Sequence, residues 1–407
     1  MRMTPTSRAS FASGARRTAR LEGVAVPEPW ATVRLGEVAR IAMGQAPPGD
    51  TVSEAGNGLP FLQGNAEFGD VHPSAQLVCR RPARRCEPGD LLVSVRAPVG
   101  ALNVADRAYA IGRGLASVRF GRLDTAYGRH ALHREVSQLT KVAQGSTFEA
   151  VGRRELADIR IYAPATEREQ RRIAEILDAL DDQIAANKRL IAKELCLKEG
   201  LLRRLSGTYF AGDAMSNLGE INTLITSGSR GWAEFYANNG AFFIRIGNLT
   251  REHINLRLDD RVFVRVPEAS AGSRTALMPG DVLISITADL GIIGVVPADL
   301  GEAYVNQHVA LVRVRPGVNS RWVAYMLASA RGQRQFQLAN DSGAKAGLNL
   351  PAVGRIRVPL PPRAVQDTMA RLLDEQDSSV AQHRATLAKL LLLKQALMAD
   401  LLTDPAS

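Results

Sequence analysis

Along two stretches of the chain the apolar residues step by four and three. From Ile173 the series runs Leu177, Leu180, Ile184, Asn187, Ile191, Glu194, Lys198, Leu201 and Leu205; from Met369 it runs Leu373, Gln376, Val380, His383, Leu387, Leu390, Lys394, Leu397 and Leu401. This is a heptad seam with polar interruptions, and it predicts two long helices, Glu167 to Leu205 and Arg363 to Leu402. Between Glu167 and Leu205 there is no proline and Gly200 is the only glycine, so an unbroken rod would approach about 58 Å. One small domain cannot cover such a stripe, which favours pairing of the two helices with each other. Asn187 and His383 share a heptad position at which a buried polar residue can fix register.

Elsewhere the period is mostly two. Asp90-Leu-Leu-Val-Ser-Val, Asp281-Val-Leu-Ile-Ser-Ile and Val309-Ala-Leu-Val-Arg-Val read as short strands. Pro88-Gly89-Asp90 and Pro279-Gly280-Asp281 are turn signals before two of them, so both aspartates are expected to be turn formers. Helical stretches are expected at Thr125 to Val142 and at Arg321 to Gln337. The strands ending at Pro164 and at Pro362 are stopped by proline, and a long helix starts within a few residues.

The second half of the chain repeats the first. At an offset of 196 Gln170 matches Gln366, and the same holds for Leu177/Leu373, Asp178/Asp374, Asp181/Asp377, Ala185/Ala381, Lys193/Lys389, Lys198/Lys394, Leu201/Leu397 and Leu205/Leu401. Upstream, Pro88 to Gly100 answers Pro279 to Gly291, Leu35-Gly-Glu37 answers Leu218-Gly-Glu220, Gly64-Asn65 answers Gly247-Asn248, and Ala116-Ser-Val-Arg119 answers Ala310-Leu-Val-Arg313. The chain is therefore a tandem duplication. The fold class is α+β: two tandem domains joined by two long helices that form an antiparallel coiled coil with pseudo-twofold symmetry. The divisions are an Arg-rich leader at 1–28 that reads as disordered, a first domain at 29–164, a helix at 165–209, a second domain at 210–362 and a helix at 363–407.

Composition narrows the function. The 407 residues carry a formal charge of +10, placed in the leader and the two globular units while the helix segments are nearly neutral. A basic globular surface points to a polyanion such as nucleic acid. Three cysteines without a CxxC pair suggest a reduced, cytoplasmic protein. His130 and His133 have no neighbouring ligands in the sequence that would complete a metal site. No stretch approaches a membrane span. Phosphate-loop, HExxH, nucleophile-elbow and dinucleotide motifs are missing; Gly112-Arg-Gly114 precedes a strand instead of a helix. The chain reads as a protein that holds and reads something while the chemistry is done elsewhere.

With Pro88-Gly-Asp-x-Leu-x-Ser, its repeat at 279, and Glu169-Gln-Arg-Arg-Ile-Ala-Glu-Ile-Leu-Asp-Ala-Leu-Asp181 in view, the chain resembles the DNA-specificity (S) subunits of type I restriction-modification systems over residues 29 to 404. Val26-Pro-Glu-Pro-Trp30 through Glu37 is similar to that family's entry into its first domain, and Tyr304-Val-Asn-Gln-His-Val-Ala-Leu311 and Val358-Pro-Leu-Pro-Pro362 are similar to features of the second. The second helix departs from the pattern by starting Arg363-Ala-Val-Gln, and no Trp precedes Leu218. The resemblance implies two target-recognition domains, each reading part of a split sequence in double-stranded DNA. It implies helices that act as a spacer and dock two methyltransferase subunits, with restriction and translocase subunits joining. No cofactor is expected in this chain; S-adenosylmethionine, ATP and Mg are expected on the partner subunits. Two other readings stay open at this level: a stand-alone DNA-binding regulator, and a helical interaction scaffold.

Candidate DNA contacts lie in loops that differ between the halves. In the first they are Arg80, Arg81, Arg84 and Arg85 for phosphates and Gln63, Asn65 and Arg96 for base edges; in the second they are Arg230, Arg245, Asn248, Arg251, Lys345 and Asn349. For Asn65 and Asn248, recurrence in both halves favours a turn role over a reading one.

Overall fold

The computed structural model describes residues 30–144, 150–228, 231–265, 275–340 and 347–402. Arg230, Lys345 and the leader at 1–28 lie outside the described residues. The chain divides into two units, one comprising residues up to Asp181 together with Leu392 onward, the other comprising Asp182–Leu391.

In the first unit, Ala31–Arg34 pairs antiparallel with Arg160–Ala163, so the strand that enters the domain lies beside the strand that leaves it. A four-stranded antiparallel sheet follows in the spatial order Ala39–Met43, Leu115–Phe120, Leu91–Ser94, Leu102–Val104. A second sheet has five strands, in which Leu59–Leu62 and Tyr109–Ile111 run parallel at its centre. The second unit repeats this plan. Met215–Asn217 pairs with Arg357–Pro359, the four-stranded order is Asn222–Ser227, Val309–Val314, Val282–Ser285, Ile293–Val295, and Ala241–Ile244 runs parallel to Ala303–Val305.

The Pro-Gly-Asp turns do more than turn. Asp90 and Asp281 are buried, and each accepts the backbone N–H three residues earlier, from Glu87 (2.9 Å) and Met278 (2.7 Å). Each also takes an arginine from the neighbouring strand, Arg119 at 2.6 Å and Arg313 at 2.8 Å. The repeated arginines of Ala116-Ser-Val-Arg119 and Ala310-Leu-Val-Arg313 are thereby explained as counter-ions that make burial of a carboxylate tolerable.

The helix expected over Arg321 to Gln337 is two, Ser320–Ala328 and Ala330–Asn340. Ser329 between them is extended, and its hydroxyl donates to the Met326 carbonyl (2.6 Å) and accepts from Gly332 N (3.2 Å). Gly332 is required there, because a Cβ would come within 2.3 Å of the Met326 oxygen.

The long helices run Glu167–Tyr209 and Arg363–Leu401. In the first unit, Ile173, Ala174 and Leu177 of the first helix share one core with Val93, Val118, Tyr127 and Ile161, and with Met398 and Leu402 from the end of the second. In the second unit, Ala370 and Leu373 share a core with Val282, Val312, Trp322 and Val358, and with Leu205. The start of one helix and the end of the other meet in each unit, so the helices pair antiparallel. Each helix therefore packs on its own domain and on its partner helix at once.

The polar interruptions of the seam pair across it. In the second unit Asn187 Nδ2 donates to the His383 carbonyl (2.7 Å), His383 Nδ1 lies 3.1 Å from Asn187 Oδ1, Ser379 donates to Glu194 (2.7 Å), and buried Lys198 pairs with Asp377. In the first unit Lys394 pairs with Asp181 at 2.5 Å.

Candidate nucleic-acid interface

Four segments of the first unit enclose a cleft of about 410 Å³: the stretch from Ala46 to Val52 that follows Ala39–Met43, the end of Leu59–Leu62 with the turn after it, the loop after Leu91–Ser94, and the turn joining Tyr109–Ile111 to Leu115–Phe120. Gln63, Asn65, Arg96 and Arg113 line it, together with backbone from Gly64, Gly112 and Gly114. None of these four side chains donates a hydrogen bond to a described residue, and among the described residues the lining contains no carboxylate. Three of the sequence-chosen readers, Gln63, Asn65 and Arg96, are thus brought together. Arg113 is not among those readers, because the sequence pattern Gly112-Arg-Gly114 tests only for a cofactor loop. Its place just before the strand shared by both halves is the signal that could have found it.

Arg80, Arg81 and Arg84 sit on the connection between Leu77–Cys79 and Arg85–Cys86, Arg85 opens the latter strand, and all four are exposed. Arg80 donates to the Asp50 carbonyl (3.0 Å) and Arg85 pairs with Glu87 (2.9 Å). Such exposed contacts are weak enough to be exchanged for phosphate.

The second unit places its sequence-chosen residues differently. Asn248 is 1% exposed; its oxygen accepts from Arg245 N (2.9 Å) and its amide donates to the Arg257 and Asp260 carbonyls (both 3.0 Å). It holds a loop together, and its buried amide is spent on that loop instead of facing a base. The Gly-Asn matching also shifts. Asn248 closes the turn Ile246–Asn248, whereas Asn65 opens the turn Asn65–Glu67, and the equivalent of Asn248 is Glu67, whose carboxylate accepts from Gly64 N at 3.1 Å.

Arg251 is clamped by Asp289 (2.5 Å), Gln333 Oε1 (2.8 Å) and the Leu290 carbonyl (2.8 Å), and its guanidinium holds the Asp289 carboxyl below the usual carboxylate range. It borders another cavity, lined by Lys198, Leu202 and Tyr325, so its role is to tie the domain's loops. Asn349 is exposed but caps the helix Leu350–Arg355 by accepting from Ala352 N (2.8 Å). Arg245 pairs with the exposed Asp260 at 2.8 Å.

Strand registers give the second unit's counterpart of the first cleft. Leu62 pairs with Ile111 as Ile244 pairs with Val305, and Val95 N donates to the Gly114 carbonyl as Ile286 N donates to that of His308. Arg113 therefore corresponds to Gln307, Gly114 to His308 and Arg96 to Thr287. Thr287 Oγ1 lies 2.9 Å from His308 Nδ1, and His308 Nε2 lies 3.0 Å from Gln307 Nε2. None of these three side chains is among the sequence-chosen residues, although Gln307 and His308 fall within the stretch Tyr304 to Leu311.

One further cluster has metal-ligand chemistry. His130, Asp178 and Asp181 bring donor atoms within 4.8 Å of one another. Asp178 is already paired with Arg129, and Asp181 with Lys394. Tyr325, Asp374 and Asp377 repeat the arrangement with a phenol in place of the imidazole, which makes it a device for docking a domain onto its helix.

Residues 27–194 match the family model described as the type I restriction modification DNA specificity domain. Over 168 residues the chain is 37% identical to the type I restriction enzyme MjaX specificity subunit of Methanocaldococcus jannaschii, a stretch that covers 40% of this chain and 39% of that protein's length. In fold, the chain is similar to the S subunit of a type I restriction-modification system from M. genitalium, with a TM-score of 0.63 at 16% identity over 93% of this chain and 97% of that one. It is also similar to a chain from a study of complex assembly and conformational transition in the type I system, with a TM-score of 0.54 at 19% identity over 93% and 99%. The model match stops within the first long helix, and the second unit is joined to it by having the same strand order. The first domain is a type I restriction-modification DNA specificity domain, and the chain as a whole has the fold of the type I specificity subunits.

Proposed function

We propose that this chain is the DNA-reading subunit of a type I restriction-modification complex, itself non-catalytic, recognising a split, asymmetric sequence in double-stranded DNA. The observation that carries the reading is the duplication of one domain plan with different polar side chains at the same cleft position. Two frames of one kind with different reading surfaces suit two different half-sites.

Two methyltransferase subunits binding S-adenosylmethionine, and restriction subunits using ATP and Mg, are the partners of this reading, and the cytoplasm is its compartment. Partner docking is supported by large apolar side chains that each long helix leaves in solvent outside its seam, Leu190 and Leu197 on the first and Leu372, Leu391, Leu392 and Leu393 on the second. Among the described residues no helix is long and apolar enough to cross a membrane.

The test is the salt dependence of duplex binding. Replacing Arg80, Arg81, Arg84 and Arg85 with Ala should weaken binding to all sequences alike and lower the slope of log K against log salt by about 0.9 for each phosphate no longer neutralised. An unchanged slope would remove this cluster from the DNA face. Absence of any sequence-selective duplex binding, by the chain or by its complex, would overturn the function.

A further inference from the structure

We infer that Arg113 is a specificity-determining residue of the first domain, a guanine reader set at the position where the second domain places Gln307. The inference rests on the DNA-reading function proposed above.

The turn that carries Arg113 is held on every side by backbone. Gly112 N donates to the Leu62 carbonyl (2.7 Å), Gly114 N to that of Gln63 (3.1 Å), Gln45 N to that of Ile111 (3.0 Å), and the Gly114 carbonyl accepts from Val95 N (2.9 Å). A Cβ at Gly112 would come within 3.0 Å of Gln63 Cα, and one at Gly114 within 2.6 Å of the Gln63 oxygen. The two glycines let the turn lie flush on the neighbouring chain, so its only side chain is an exposed arginine at a cleft that, among the described residues, is lined by no acidic group.

A long cation on a fixed turn, with no ion pair among the described residues and beside Arg96, Gln63 and Asn65, lacks the features of a structural arginine such as Arg119 or Arg313, each spent on a buried aspartate. A guanidinium fork matches the two acceptors on the major-groove edge of guanine. In the second domain the same position is neutral: Gln307 there is linked to His308 and through it to Thr287, and an amide matches adenine. The two half-sites should accordingly differ at the base pair met by this position.

The experiment is selection of bound duplexes from a randomised pool, with the full chain as wild type, Arg113→Ala, Arg113→Lys and Arg113→Gln. A good bidentate pair discriminates by about fivefold to a hundredfold. Arg113→Ala should lose a guanine preference of that size at one position of one half-site and leave the other half-site unchanged. Arg113→Lys keeps the charge without the fork; it should retain overall affinity and lose the same preference. Arg113→Gln should move the preference toward adenine. A uniform loss of affinity with the motif intact would make Arg113 a phosphate contact and overturn the inference, as would an unchanged motif or loss of an entire half-site in Arg113→Lys. If the wild-type chain selects no motif, the DNA-reading function falls as well, which distinguishes the two failures.

Discussion

Lys198 and Asp377 are the most severely buried ion pair between the long helices, with side chains 10% and 5% exposed. Asp377 also accepts the Tyr325 hydroxyl (2.8 Å), whose pKa burial and the Asp377 charge push far above the usual tyrosine value, so it stays a donor. Asp377→Asn would leave the Lys198 ammonium in the interior without its counter-charge, with neutral acceptors alone, the Asn amide oxygen and the Glu252 carbonyl (3.1 Å), beside it. Breaking one side of a buried pair costs about 3–5 kcal/mol. The duplication supplies the control. Asp181 is the repeat equivalent of Asp377 and pairs with Lys394, but these side chains are 40% and 19% exposed. Water can solvate either group once the other is gone, so Asp181→Asn should cost no more than about 1 kcal/mol. Peptide-resolved hydrogen exchange reads each unit separately: protected amides of the second unit should exchange at least about a hundredfold faster in Asp377→Asn, and those of the first unit less than about sixfold faster in Asp181→Asn. Lys198→Met with Asp377→Leu should recover most of the stability, because both desolvation costs vanish together. Equal effects of the two single substitutions would refute the reasoning, since the residue types are the same and only burial differs.

Gln170 and Gln366 are both buried and make matching bridges, accepting from Asp124 N (2.8 Å) and Asn319 N (3.0 Å) and donating to the Pro164 (2.9 Å) and Pro361 (2.7 Å) carbonyls. Substitution of either by Ala should destabilise its own unit by about 2–4 kcal/mol, because a donor and an acceptor are left without a partner inside the protein; thermal unfolding of the two variants checks this, and a destabilisation below about 1 kcal/mol in either contradicts it. His130 is pushed below the ordinary histidine value of 6.5 by burial, against the hydrogen bond to Asp178. It is neutral in the fold and protonates more readily when unfolded, so the first unit should lose stability as pH falls below about 6.5. His130→Tyr, which installs the second unit's side chain, should reduce that decline when denaturation is followed from about pH 7.5 to 5.5, the remainder belonging to His133, which burial also pushes down, and an undiminished slope would remove His130 as a source.

The seam was legible because burial on a long helix obeys one period. Ile173, Leu177, Leu180 and Ile184 fall on it by spacing alone, and all four are buried. The repeat shows that Asp178, Asp181 and Lys198 recur, but not what they touch, since the sequence does not state the register of an antiparallel pair. Cleft residues are harder. A reading side chain and a loop-holding one share the same types, so in the sequence Asn248 and Arg251 look like Asn65 and Arg96, and only their partners separate them. Matching Gly64-Asn65 to Gly247-Asn248 fails because the loops differ in length, and equivalence there follows the strands on either side instead of the local dipeptide.

The duplication sorts the polar residues of the chain more sharply than burial does. Where the halves keep the same residue at equivalent places, the contacts are the same: Asp90 with Arg119 and Asp281 with Arg313, Gln170 and Gln366 each bridging a strand end to a helix start, Asp181 with Lys394 and Asp377 with Lys198. Such residues serve the frame, and changing one half's copy removes an interaction the fold relies on. At the clefts the halves disagree, Arg113 against Gln307, Gly114 against His308, Arg96 against Thr287, while the backbone bond from Val95 to Gly114 persists as the one from Ile286 to His308. A fixed backbone presenting different side chains is what a pair of readers requires. New donors and acceptors can be placed at 113 or 307 without disturbing the ion pairs that carry the fold, so the cleft surface can change while the frame does not.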